Sequence, residues 1–249
     1  MRTIVQTAFI VFMAGGSLAA CGNSANTKQD NSAPQQIQAI NNDTTIADSA
    51  EATQKQKFDY ENDNAGQLPQ GWSQYFTGSG GTDWKVIDDN GNKVLAQQYS
   101  DNPNNHFNIV VNDTLKALDM VLTVRLKGVS GKEDQGGGLV WRFTDKNNYY
   151  LVRANPLEDN VVLYKVQNGK RSDLPLIGKG KTYGMDVDKL GSDWNTLKLI
   201  VNGKYFTVYL NDQLLFKVED ITFSNSGKIG LWTKADAVTY FDDLEVIKY

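Results

Sequence analysis

Cysteine and histidine are almost missing: Cys21 and His106 are the sole examples among 249 residues. One thiol excludes a disulfide framework and a thiolate metal cluster, and one histidine leaves no multi-histidine zinc site and no convincing Ser-His-Asp triad. His106 follows Asp101-Asn102-Pro103 in an Asn-rich stretch and reads as a loop or surface residue. Sustained helical periodicity is lacking as well, and with it helices to cover a parallel sheet. Basic clusters are absent: the net charge is −4 and the cations are scattered, which excludes nucleic acid as a partner. The longest apolar run, Ile4 to Ala14, is too short to span a bilayer.

What is present at the start is an address. Arg2 gives a positive beginning, Ile4 to Ala14 an apolar segment, and Leu18-Ala19-Ala20 small residues immediately before Cys21. This order predicts a lipoprotein signal over 1–20, with lipidation of Cys21 and a membrane as partner through that anchor. Gly22 after the cysteine is not the Asp of inner-membrane retention, so the expected location is the cell envelope, on the outer membrane if the cell is Gram-negative. Residues 21–57 are rich in Asn, Gln, Ser, Thr and Ala, and predict the lipidated cysteine plus a disordered tether. From Phe58 to Tyr249 aromatic and β-branched residues dominate, predicting a single domain.

Within that domain short β-rich segments recur, among them Met120 to Lys127, Gly138 to Phe143, Tyr149 to Arg153, Val161 to Val166 and Lys228 to Thr233. Asn90-Gly91, Asn168-Gly169, Asn202-Gly203 and Asn211-Asp212 tolerate positive φ and predict tight hairpins between them. Trp194 to Val218 reads as a three-strand meander. The economical architecture is all-β, two antiparallel sheets packed face to face.

Alternation then sorts the polar residues. Arg125, Arg142, Arg153 and Lys165 fall on four successive segments, on their more polar face or near an end. Were those segments neighbours, the cations would share one sheet surface. Tyr149 has the parity of Arg153 and Asn155, and Trp232 that of Lys234. Guanidinium forks and amides hold sugar hydroxyls or a carboxylate, and flat rings cover a pyranose, so these residues form a candidate carbohydrate-binding groove. The competing account is ordinary solvated strand cations. Asp134 and Glu158 stand in adjoining loops as a candidate acid/base pair, the alternative being carboxylates that bond turn amides. Gly136-Gly137-Gly138 lacks the ending of a phosphate loop and predicts close packing of strand backbones.

Four stretches carry a family likeness: Asp134-Gln135-Gly136-Gly137-Gly138-Leu139-Val140-Trp141-Arg142-Phe143, Asn147 to Asn155, Leu157 to Lys165, and Gly227-Lys228-Ile229-Gly230-Leu231-Trp232-Thr233-Lys234-Ala235-Asp236 followed by Phe241-Asp242-Asp243-Leu244. Together they make residues 58–249 resemble bacterial concanavalin A-like jelly rolls, the 3-keto-disaccharide hydrolase-like domains often labelled family 16 glycoside hydrolase-like. The resemblance implies a two-sheet antiparallel jelly-roll sandwich. It leaves activity open, since the superfamily holds lectins, hydrolases and domains of other use. The Glu-x-Asp-x-Glu strand of catalytic family 16 glycosidases is absent here. It also implies a structural Ca²⁺ where the ends of the sheet meet, at Asp242, Asp243 and Asp59. The expectation is a carbohydrate-binding domain, with a glycoside hydrolase using Asp134 and Glu158 as the alternative and a non-catalytic envelope or protein-interaction domain as a second.

Overall fold

The computed structural model describes residues 54–249. The expected signal segment, Cys21 and the tether through Thr53 lie outside the described residues.

The described chain forms sixteen strands in two antiparallel sheets, the jelly-roll sandwich that the sequence implies. One sheet, A, contains β1 (Gln54–Phe58), β3 (Trp84–Asp88), β4 (Lys93–Gln97), β6 (Met120–Ser130), β12 (Asn195–Asn202), β13 (Tyr205–Leu210), β14 (Gln213–Glu219) and β16 (Val238–Lys248), in the order β14-β13-β12-β6-β16-β4-β3 with β1 alongside β16. The other, B, contains β2 (Trp72–Phe76), β5 (Phe107–Ala117), β7 (Gly137–Asp145), β8 (Asn148–Asn155), β9 (Asn160–Gln167), β10 (Lys170–Asp173), β11 (Met185–Asp186) and β15 (Gly227–Lys234), in the order β10-β9-β8-β7-β15-β5-β2 with β11 on β9. The meander β12-β13-β14 stands as expected. Its turns and the others use left-handed residues: Asn90 and Gly91, Asn168 and Gly169, Asn211 and Asp212 all have positive φ.

Period-two alternation builds the core. Met120, Leu122, Val124 and Leu126 of β6 point between the sheets, against Leu139, Trp141, Tyr150, Val152 and Leu231 from sheet B. Trp141, Tyr150 and Phe206 meet at ring separations of 4.9–5.4 Å across that interior.

The first described strand starts at Gln54, inside the stretch expected to be tether. Gln54 to Phe58 pair with Lys248 back to Leu244 along the last strand. Their polar side chains are largely exposed, so burial gave no signal; backbone pairing with β16 and the Lys55–Glu245 and Lys57–Asp243 ion pairs hold them.

Sheet B is unusual in being apolar on both sides. Phe107, Ile109, Val111, Val140, Tyr149, Leu151, Val162, Tyr164, Val166 and Trp232 form a second buried cluster on the face turned away from sheet A. In a flat sheet, four strand spacings of about 4.8 Å would separate β10 from β15. Yet the guanidinium of Arg171 on β10 lies 5.7 Å from the ring of Trp232 on β15. The sheet therefore curls, and this second face is its hollow side.

Candidate functional site

Cross-strand register assembles the hollow. Trp232 lies opposite Gly138, Gly138 opposite Arg153, and Arg153 opposite Val162, so β15, β7, β8 and β9 deliver one row. Glycine at 138 is a packing requirement: a Cβ there would come within 1.8 Å of the Val152 carbonyl oxygen. Gly137, on the opposite face, would strike Phe241 and Thr239 of sheet A at 2.6 and 2.7 Å. The glycine run thus packs strand against strand and sheet against sheet.

Arg153 is the hub. It is 1% exposed, and its Nη2 donates to Glu158 Oε2 at 2.9 Å, Tyr183 Oη at 3.1 Å and Tyr164 Oη at 3.3 Å, while Nη1 donates to Asn160 Oδ1 at 3.1 Å. Burial alone would lower this guanidinium's pKa, but Tyr164, Asp134 and Glu158 outweigh it and hold the group above its ordinary value. For Glu158 burial pulls upward, and the hydrogen bond and charge of Arg153 with the Asn160 amide reverse it, so the carboxyl sits below its usual range. Asp134 is buried beside them, accepting from Gly136 N at 2.7 Å and facing Lys234 Nζ at 3.5 Å. Each carboxylate is thus matched with a cation.

Aromatic groups floor the rest. Arg171 lies over Tyr164 at 4.5 Å, Phe107 at 5.1 Å and Trp232 at 5.7 Å. Beneath it Tyr149 is fully buried. Burial raises its hydroxyl pKa well above the ordinary value, and the Trp232 N–H and Arg171 beside it offset only part of the rise. Neither the Tyr149 hydroxyl nor the Trp232 N–H reaches a protein partner in bonding geometry, and the same holds for Arg153 Nε, Asn155 Nδ2 and Arg171 Nη1. Five buried polar atoms of one sheet face are therefore unpaired among the described residues, where such atoms are ordinarily bonded.

Tyr149, Arg153, Asn155, Trp232 and Lys234 thus share this face, with Asp134 and Glu158 at its rim. The three remaining cations expected with them are elsewhere. Arg125 is on β6 in sheet A, facing outward over Trp194 at 4.8 Å and paired with Asp243 at 3.1 Å; consecutive strands here change sheets. Arg142 sits in a bulge of β7 with φ 49°, which breaks the alternation and sends its side chain into the end of the sandwich. There it donates to the carbonyls of Gly203 at 2.6 Å, Phe223 at 2.7 Å and Leu118 at 3.2 Å. Lys165 is opposite Tyr150, hence on the inner side of β9, where it bonds Asp220 at 2.9 Å and Thr222 at 2.6 Å.

His106 is also not a surface residue. It is fully buried, with its ring nitrogens 2.9 Å from Ser79 O and 3.0 Å from Asn108 Oδ1, and it stacks on Phe76. The ends of the sheet do meet at β1 and β16, yet Asp243 pairs with Lys57 and Arg125, and Asp242 takes the Asn92 amide. Asp59 accepts only a weak bond from Glu61 N at 3.4 Å. Among the described residues no three His, Cys, Asp or Glu side chains cluster as a metal cage.

Residues 55–247 match the family model described as a 3-keto-alpha-glucoside-1,2-lyase-like domain. No curated protein matches. Among solved structures, the carbohydrate-binding module CBM66 from Bacillus subtilis is 23% identical with a TM-score of 0.52, the match covering 70% of this chain and 94% of the module. A Bacteroides ovatus mixed-linkage glucan GH16 in complex with a G4G4G3G product is 8% identical with a TM-score of 0.53, over 77% and 99%. The GH43 BlXynB protein from Bacillus licheniformis is 14% identical with a TM-score of 0.52, over 78% of this chain but 39% of that one. These likenesses establish a shared sandwich fold.

Proposed function

Because the chain belongs to the 3-keto-alpha-glucoside-1,2-lyase-like domain family, we propose that the hollow face of sheet B is a saccharide site and that its activity is binding. The observation that carries this is the set of five unpaired buried polar atoms around Trp232, Tyr164 and Phe107. Saccharides present oxygen acceptors at the ring edge and an apolar ring face, the two surfaces this arrangement complements. Carbohydrate-binding and glycoside-hydrolase relatives by fold use the same sandwich.

Hydrolysis suits the site less well. A glycosidase needs one carboxyl that keeps its proton near neutral pH. Glu158 is instead bonded to Arg153 and held ionised, while Asp134 accepts a backbone amide and faces Lys234. One observation favours a second reading. An ionised Glu158 beside the Tyr164–Tyr183 hydroxyl pair, 2.7 Å apart, is equipped to take a proton next to a sugar ketone, the step a lyase requires.

Calorimetric titration with glucan, xylan and arabinan oligosaccharides tests the main reading. Tyr149→Phe deletes a hydroxyl whose one polar protein neighbour is the Trp232 N–H, outside good bonding geometry, so the fold is retained and affinity falls about tenfold. If no saccharide, neutral or acidic, saturates the wild-type protein, the reading fails; turnover of a 3-keto disaccharide that Glu158→Gln abolishes establishes the lyase instead.

The signal pattern before Cys21 supports placing this domain outside the cytoplasm on a lipid anchor, at the outer membrane if the cell is Gram-negative. Cys21→Ser should move the protein from the membrane to the soluble fraction and abolish fatty-acid labelling. Unchanged fractionation and labelling would refute the anchor.

A further inference from the structure

The unpaired atoms in the hollow share one property beyond burial: they donate. Arg153 Nε, Arg171 Nη1, Trp232 Nε1 and Asn155 Nδ2 can only donate a hydrogen bond, and the Tyr149 hydroxyl donates as readily as it accepts. Glu158 Oε1 apart, the acceptors nearby are largely engaged already. Glu158 Oε2 takes Arg153 and Asn160, Asp134 Oδ1 takes Gly136 N, and Asn155 Oδ1 takes Gln135 N and Leu157 N. A neutral sugar, whose hydroxyls each bring a donor with their acceptor, would have more donors than the open Glu158 Oε1 can take. A group made only of acceptors would not.

Charge points the same way. Arg153 lies 2.9 Å from Glu158 and Lys234 3.5 Å from Asp134, so both of those cations are matched. Arg171 is held by rings alone, and among the described residues no carboxylate approaches within ion-pair distance; Asp173, two residues along β10, makes no ion pair with it. Its guanidinium is pre-positioned above Tyr164 and Trp232 on a partly buried side chain, with one buried nitrogen free. Such a fork receives two oxygens of one anionic group side by side.

We propose, on the premise that the hollow binds saccharide, that its ligand is an acidic saccharide whose carboxylate or sulfate oxygens are taken by Arg171. Arg171 is then the residue that selects charge.

The test is a comparison of trigalacturonate, its methyl ester and a sulfated galactose trisaccharide, titrated against the described domain with its preceding residues intact. Wild type should prefer at least one anionic probe to the uncharged ester by about tenfold, with the preference shrinking as salt rises. Arg171→Gln should erase the preference, whereas Lys198→Gln, which removes the same charge from sheet A, should preserve it. The Arg171 side chain makes no hydrogen bond to the described residues, so its loss leaves the fold intact, checked by the melting temperature. Which anion wins identifies carboxylate or sulfate. Equal binding of charged and uncharged probes, or a preference that survives Arg171→Gln, overturns this inference while the saccharide reading stands. Failure of these probes and of the neutral oligosaccharides alike overturns the saccharide reading itself.

Discussion

Arg142 shows how one left-handed residue redirects a side chain from a binding surface to a structural post. Its guanidinium is buried and joins carbonyls from three separate segments at the end of the sandwich. Replacing it with methionine keeps the aliphatic volume and orphans those carbonyls, so Arg142→Met should cost about 3 kcal/mol and lower Tm by about 6–12 °C. Thermal unfolding within about 1 °C of wild type would show the bonds to be dispensable. Nothing in the sequence around Trp141-Arg142-Phe143 announces the bulge, and parity counting fails wherever one occurs. Where strands run without interruption the same counting succeeds: Tyr149, Arg153 and Asn155 were recognisable as one face of β8, and Trp232 and Lys234 as one face of β15. Tyr164 and Arg171 were legible in principle, because the Asn168-Gly169 turn sets Arg171 opposite Val166 and two places from Tyr164 on the same side. Tyr183 was not, since it arrives from an irregular loop with no period to count.

At the level of elements, strands with a buried stripe announced themselves and polar ones did not. β6, β8, β12 and β15 were evident from alternation or apolar runs, whereas β1 and β10 carry Gln, Lys, Arg and Asp on mostly exposed faces and are strands only because a neighbour offers an edge. β10 matters beyond its four residues, since it is the platform from which Arg171 reaches the hollow. The allocation of strands to sheets was the least legible feature. β6 and β7 follow one another in sequence but belong to different sheets, and that crossing is what removed Arg125 from the shared surface. A hairpin declares its partner through a two-residue turn; a connection of six residues, Gly131 to Gly136, leaves the choice to packing.

For the molecule as a whole, acid is the expected weakness. Glu158, Asp220 and Asp243 are driven upward by burial but pulled further down by the cations and donors they accept, and Asp113 is lowered by Lys228 and Ser73. A carboxyl whose folded pKa is depressed stabilises the fold above its unfolded value, near about 4, and that contribution is lost as pH falls through the folded one. Asp63 and Asp242, raised by burial, act in the opposite sense and are the minority. Tm should therefore hold steady from pH 7 to about 5 and drop below about 4. Asp220→Asn should lower Tm at pH 7 and flatten the acid decline; a variant as acid-sensitive as wild type would exclude Asp220 from that role. The pairing of the first described strand with the last has a different consequence. Gln54 and Lys248 are direct partners, so a short connector could join them without disturbing a single strand. Opening the resulting ring instead at the exposed Asn90-Gly91 turn, between β3 and β4 of sheet A, would give a rearranged reading order with the same architecture, a practical route to moving a surface attachment point or reporter away from the hollow.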